Sequence, residues 1–470
     1  MCGSETPEVD LEEVLKYAEG LGAQYVDLRY NVQRVETIVF ENGNLREFSS
    51  SVRKGLGIRV IVEGYQGYSS TSRLDTGSVK EAVKKAVDLA KALKGKGEEV
   101  VLGDAPTIKD RVVAPYKVDP LSVDPKEKLE LLSHLNKVGL EAKDVKSSMT
   151  RMGIQSDYRV FVSSSGSRVE TLVNLVGMGQ VSVAGEAGRL ERVVDGRSRV
   201  AGYEFIKSYD WETLVREVSG LASKAFKAGL PPAGTYTAVI TPEVVGLLLH
   251  EAFGHASEGD LVEAGSSVLA GRVGEVVASE YVTIVDEGVV EGGYFTPYDD
   301  EGVMKGRTVV VEKGILRSFL TSRHVAGKLG IGATGNGRVQ DYASVPIVRQ
   351  TNYYMLPGDY SVEELIEGVE EGIYVTGKGV IGGEVDPGAG TFTFSVGVSW
   401  LIRNGEKKEM VRGVTLSGLI LDVLKSIDAV GKELEVRTSV FGGCGKNGQT
   451  VKVGMGGPHV RVRKITVGGR

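Results

Sequence analysis

Sixty-four glycines are scattered through the 470 residues, and most of them stand between short runs that read as β-strands. That is nearly twice the ordinary usage of a soluble protein. Glycine in a helix interior costs about 1 kcal/mol relative to alanine. At a tight turn it supplies the positive φ that other residues resist. The spacing therefore predicts many hairpins, interrupted by a few amphipathic helices. The expected class is α+β, in two parts. Adjacent prolines in Gly229-Leu230-Pro231-Pro232-Ala233-Gly234 stop a helix and favour an extended linker. They divide an N-terminal helix-and-hairpin α/β domain, residues 1–232, from a glycine-rich, strand-rich C-terminal domain, residues 233–470.

In the first part, apolar residues recur at helical spacing over 8–21, 78–93, 125–142 and 211–228. Between these lie strand-rich runs over 24–72 and 147–203. Asn42-Gly43 suits a type I′ hairpin turn, and Glu63-Gly64 and Ser165-Gly166 mark two more turns. The order of helices and hairpins looks faintly duplicated. In the second part, 235–240 reads as a strand. Thr241-Pro242-Glu243 opens a helix that runs on through V-V-G-L-L-L-H-E-A-F-G-H. Further on, 361–371 and 415–430 read as helices, and 391–403 reads as one long strand.

The net charge of −6 and the lack of a basic tract argue against nucleic-acid binding. No 18-residue apolar run or N-terminal apolar segment is present, so a cytoplasmic chain without a membrane span is expected. Two cysteines, Cys2 and Cys444, are too few for a disulfide framework.

The chemistry concentrates in residues 250–260, H-E-A-F-G-H-A-S-E-G-D. Two imidazoles with a glutamate directly after the first suggest a metal-and-base pair. In an α-helix of 3.6 residues per turn, a spacing of five places His250 and His255 about 140° apart. They can meet one ion only if the helix bends, bulges or ends between them, and Gly254 stands where such a break fits. A catalytic zinc takes three protein ligands, so a third donor is needed. Cys444, His324, His459 and several carboxylates are available. Lys446 would favour a Cys444 thiolate. Glu258 and Asp260 are candidates for holding the histidine N–H groups. Gly335-Asn336-Gly337-Arg338 lacks the spacing of a phosphate loop. Arg338, Arg349 and Asn352 are candidates for holding substrate backbone or an oxyanion, structural roles being the alternative. An extended peptide could bind by adding to a sheet edge.

The stretch H-E-A-F-G-H-A-S-E-G-D resembles the signature helix of the TldD/PmbA family of cytoplasmic metalloproteases, in its TldD branch. C-G-K-N-G-Q at 444–449, T-G-N-G-R-V-Q-D-Y near 334–342 and V-R-Q-T-N near 348–352 are similar to TldD sequence as well. The likeness is strongest over 235–470. The resemblance implies one Zn2+ per chain on His250, His255 and Cys444, with Glu251 as general base. It implies hydrolysis of short or unfolded peptides. It also implies a heterodimer with a TldE/PmbA-like homologue, a homodimer being the alternative. The PmbA/TldE branch lacks the H-E-x-x-x-H residues. The rival reading is a non-enzymatic dimer partner or scaffold with a structural or vestigial metal site.

Overall fold

The computed structural model describes residues 6–186, 188–379 and 382–469; Cys2 lies outside them. The chain begins with helix α1 (Leu11–Gly20), followed by strands β1 (Tyr25–Glu41), β2 (Asn44–Val62) and β3 (Tyr65–Thr71) and helix α2 (Thr76–Ala92). Strand β4 (Lys109–Val113) and helix α3 (Pro125–Leu140) lead to β5 (Val145–Ser163), β6 (Arg168–Glu186) and β7 (Arg189–Val200). Helices α4 (Tyr203–Ser208) and α5 (Trp211–Ala225) precede β8 (Gly234–Ile240) and α6 (Pro242–Leu247).

The two β-rich segments of the first half form one sheet, because β1 pairs with both β2 and β5. Its order is β3-β2-β1-β5-β6-β4, with β7 also on β6. Asn42 and Gly43 both have positive φ, as the type I′ turn requires, and they close β1 onto β2 with Glu41 opposite Asn44. Helices α1 and α2 cover one end of the sheet through Leu15, Val83 and Val87. Helices α3 and α5 cover the other through Leu132, Leu135 and Val218. The apolar stripes read from the sequence are the faces these helices bury. Within the strand-rich run 147–203, Arg168–Glu186 is one strand. It runs unbroken through Gly177 and Gly179 because β5 and β7 pair with it on both sides.

The second half holds a nine-stranded and a six-stranded sheet. In the larger, β8 lies between Glu371–Val375, to which it is parallel, and the long C-terminal strand Val460–Gly469. In the smaller, Asn352–Met355 lies between Ile284–Glu287 and Gly454–Gly457. Two expectations fail here. The stretch 391–403 is two strands, Thr391–Ser395 and Ser399–Arg403. Between them Gly397 packs flush on the Lys378 backbone, where a Cβ has no room. The stretch 415–430 is not one helix. Val414–Leu419 is a strand held between Thr391–Ser395 and Val460–Gly469, and only Ile420–Lys425 is helical. Sheet pairing overrides helical periodicity there.

Buried ion pairs join the halves. Arg59 of β2, almost wholly buried, bonds Asp27 through Nε at 2.8 Å and Glu301 of the second half through Nη1 at 2.6 Å. Arg159 of β5 reaches Asp300 at 2.7 Å. With both carboxylates in contact, the guanidinium of Arg59 stays charged despite its burial, and removing either partner would strand a charge in the interior.

Candidate metal centre

Helix α6 starts at Pro242, in the first-turn position where the missing N–H costs nothing. Thr241 before it is extended, as an N-cap should be, but its hydroxyl makes no capping bond. From Leu248 to Gly254 the helix widens into a π-helix, and the His255 N–H closes onto the His250 carbonyl. This resolves the spacing problem. In a helix whose bonds join residues five apart, His250 and His255 are successive members of one ridge. Their rings lie 5.2 Å apart at 74°. Of the three ways for the two rings to meet, the bulge is the one found: the widened segment runs to Gly254 and passes into a single 3-10 turn, His255–Ser257. Glycine is needed at position 254 because a Cβ would overlap the side-chain amide of Gln350. That amide is fixed, since Gln350 Nε2 donates to the His250 carbonyl at 3.0 Å. Gly254→Ala is expected to lower stability by about 1–3 kcal/mol, the range for overpacking a tight interior. Comparing thermal melts of the two proteins checks this; an unchanged melting temperature would contradict the packing account.

Cys444 arrives from the far end of the chain on a small hairpin, Cys444–Lys446 against Gln449–Val451. Asn447 and Gly448, both at positive φ, make its turn. The Cys444 Sγ lies 3.3 Å from His255 Nε2. Donor atoms of His250, His255 and Cys444 all fall within 4.8 Å of one another. Of the alternative third donors, His459 stacks on Tyr374 and bonds its hydroxyl at 3.2 Å. Neither it nor His324 joins the cluster among the described residues.

His250 is fully buried, and neither ring nitrogen has a hydrogen-bond partner. Such a group is costly to leave unsatisfied, and two imidazoles with a thiol are donors of the kind that bind zinc. On the other side of His255, Nδ1 meets Glu258 Oε2 at 2.9 Å. Burial would pull the His255 pKa down, but the charges of Glu258 and Cys444 raise it to about 10. Burial would raise that of Glu258, but His255 and Lys446 hold it at about 2. Burial likewise opposes ionisation of Cys444, and the His250 and His255 rings bring its thiol down to about 4.

Two sequence expectations change. Asp260 does not touch a histidine; it binds Lys446 Nζ at 2.7 and 2.8 Å. Lys446 also bonds Glu258 at 2.9 Å and the Val348 carbonyl at 3.2 Å, so its charge is spent on carboxylates and not on the thiol. Glu258 and Asp260 are thus two ends of one network that orients His255 through Glu258 alone.

Glu251 is the half-exposed member of the group, with Oε2 3.8 Å from His255 Nε2. Arg338, Arg349 and Asn352 are buried, and their hydrogen bonds go to backbone. Arg338 holds the carbonyls of Gln350 and Lys452 at 2.6 and 2.7 Å. Arg349 holds those of Cys444 and Gln449. Asn352 donates to Glu287, Gly288 and Tyr294 carbonyls and accepts from the Tyr294 N–H. The residue that sequence reasoning passed over is Gln350, which keeps the widened helix in register; nothing in the spacing of V-R-Q-T-N connects it to residue 250.

Three family models match the chain: the PmbA/TldA metallopeptidase domain 1 over 26–90, its central domain over 118–226 and its C-terminal domain over 233–469. A metalloprotease of Methanocaldococcus jannaschii is 38% identical over 96% of this chain and 98% of its own. A zinc metalloprotease TldD homolog of Saccharolobus solfataricus is 31% identical over 97% of this chain and 99% of its own. The crystal structure of TldE from Thermococcus kodakarensis shares the fold, with a TM-score of 0.80 at 20% identity over 98% of this chain and all of that one. The chain belongs to the PmbA/TldD family of metallopeptidases.

Proposed function

We propose that this chain is a TldD-type zinc peptidase acting on short or unfolded peptides, with one zinc held by His250, His255 and Cys444. The observation that carries the reading is the convergence of two imidazoles and a thiol, from segments almost two hundred residues apart, beside the half-exposed Glu251. The orphaned nitrogens of His250 fit an ion as their partner. Three protein donors leave a fourth position open, as catalytic zinc requires. When bound, zinc supplies a Lewis acid that acidifies water and polarises a peptide carbonyl. The chain's own groups do the rest. Glu258 fixes the His255 ring so that Nε2 faces the cluster. Glu251 takes the proton of the attacking water and delivers it to the departing amine nitrogen. In this reading Arg349 and Arg338 hold the backbone of the segment that carries Cys444, Asn352 ties the backbone of Glu287, Gly288 and Tyr294, and none of the three grips substrate.

The test is cleavage of an unfolded peptide before and after chelation. Cleavage is expected to stop with the chelator and to return with Zn2+. Cleavage indifferent to chelation would reject the reading, and a protein that binds zinc without cleaving would favour the scaffold role. Among the described residues no helix is long and apolar enough to cross a membrane.

The same proposal includes a partner of the same fold, either a metal-less homologue or a second copy. In support, residues 44–53 of β2 are exposed, and among the described residues only β1 pairs with this stretch. Leu45, Phe48 and Val52 are exposed on it. An open strand edge of this kind is a template for another chain. In a two-fold antiparallel pairing centred on Ser50, Phe48 would face Val52 and Glu47 would face Arg53. Phe48→Lys is expected to shift the sedimenting species toward monomer while leaving the melting temperature within a few degrees. An unchanged assembly would place the interface elsewhere.

A further inference from the structure

Cys444 is the one member of the cluster that no helix holds. Residues 439–443, Ser-Val-Phe-Gly-Gly, lead to it from the strand Glu435–Thr438. Ser439, Gly442 and Gly443 are exposed, and Val440 and Phe441 are half-buried. The middle of the segment is seated on the first sheet. Ser198 of β7 accepts the Val440 N–H at 3.0 Å, and the Arg151 guanidinium of β5 lies 4.0 Å from the centre of the Phe441 ring. At Gly442 an added Cβ would meet nothing within 4 Å. Packing does not fix the backbone there, and glycine leaves it a wide choice of φ and ψ.

Three carbonyls of the segment converge on one side chain. Lys452 Nζ donates to the Val440 and Gly442 carbonyls, each at 2.8 Å, and to the Ser439 carbonyl at 3.2 Å. A lysine ammonium has three N–H donors and no acceptor, so the set matches in number. Burial lowers the Lys452 pKa to about 8, which leaves it an ammonium at neutral pH. Hydrogen bonds from a charged donor are roughly twice as strong as neutral ones. None of the three acceptors is a carboxylate, so the charge is directed at the segment's backbone.

The other end of Lys452 is tied to Cys444 as well. Val451, the residue before it, pairs with Cys444 across the hairpin. The Lys452 carbonyl is held by Arg338 at 2.7 Å. The ammonium therefore joins the approach to Cys444 back to the strand on which Cys444 pairs, and the loop closed in this way contains the sulfur.

We propose that Lys452 is a positioning residue for the metal centre: by gathering the carbonyls of Ser439, Val440 and Gly442 it sets the path along which the Cys444 thiol enters the cluster. The proposal rests on the reading of His250, His255 and Cys444 as metal ligands. Lys452 acts through Cys444 and donates nothing to the metal. Without it the three carbonyls turn to water and the sulfur is no longer held to one position. Loss of a group that orients a ligand costs about 10–100-fold in metal affinity.

The test is titration of chelator-stripped protein with Co2+, because a cobalt–thiolate bond absorbs in the near ultraviolet and reports the sulfur directly. The unaltered protein is expected to bind Co2+ with that band. Lys452→Met keeps the apolar stem without the donors. It should bind Co2+ about tenfold or more weakly, with a diminished band. Lys452→Arg restores a charged donor and should recover most of both. Melting temperatures of the three metal-free proteins should agree within a few degrees. A lower melting temperature in Lys452→Met with affinity and band intact would show a role in stability alone and overturn the proposal. A Lys452→Met protein that does not fold would also overturn it, since the role claimed is confined to the approach to Cys444. So would a Lys452→Arg protein no better than Lys452→Met. Failure of the ligand reading would appear separately, as absence of the band in the unaltered protein.

Discussion

Glu251→Gln is expected to lower the rate of peptide cleavage by a factor of roughly 100 to 10,000, the range over which a positioned general base contributes, and to leave zinc bound. Glutamine keeps the size of the side chain and its reach toward the cluster but cannot accept and return a proton. Glu251 is not among the three converging donors. It is half-exposed, so its replacement should change stability by only about 0.5 kcal/mol, as for other surface sites. Activity per bound zinc is the quantity to compare. Full activity in a variant that retains metal would remove Glu251 from the mechanism. Metal loss would instead make it a ligand.

Cys444→Ala is expected to do the opposite: to release the metal and with it all activity. Losing a residue that merely orients a ligand costs about 10–100-fold in metal affinity; losing one of three ligands should exceed that. The hairpin itself should survive. Its strands pair through backbone, and the Cys444 carbonyl remains held by Arg349. Alanine suits the small apolar pocket beside Val451 and Val453. Equilibrium dialysis against zinc, with melting curves as the folding control, separates the two variants. Glu251→Gln should bind and not cleave, and Cys444→Ala should do neither.

Much of the first half was legible in the sequence because its signals are local. Asn42-Gly43 specifies a turn by the φ angles it tolerates, and Val79, Val83, Ala86 and Ala90 specify a helix face by period. What was not legible depends on partners distant in sequence. Thr415–Val430 has helical periodicity, yet its first five residues belong to a strand because two neighbouring strands hold them. Gly177 and Gly179 look like breaks in isolation and are interior positions of a central strand.

The site divides in the same way. His250, Glu251 and His255 announce themselves by residue type, but the spacing of five made sense only once the π-helix was seen. That widening is supported by Gln350, a hundred residues away. The readings of Arg338, Arg349 and Asn352 as substrate contacts followed from residue type alone. Their neighbours are carbonyl groups of their own chain, which no local pattern reveals.

The central claim is that two nitrogens and one sulfur of this chain hold a single zinc. X-ray absorption at the zinc edge, on protein whose metal content has been measured, tests it most directly. The account predicts one zinc per chain with one sulfur at about 2.3 Å and two imidazole nitrogens at about 2.0–2.1 Å, and loss of the sulfur signal in Cys444→Ser. A zinc shell of nitrogen and oxygen alone, or a chain that takes up no zinc, would contradict it.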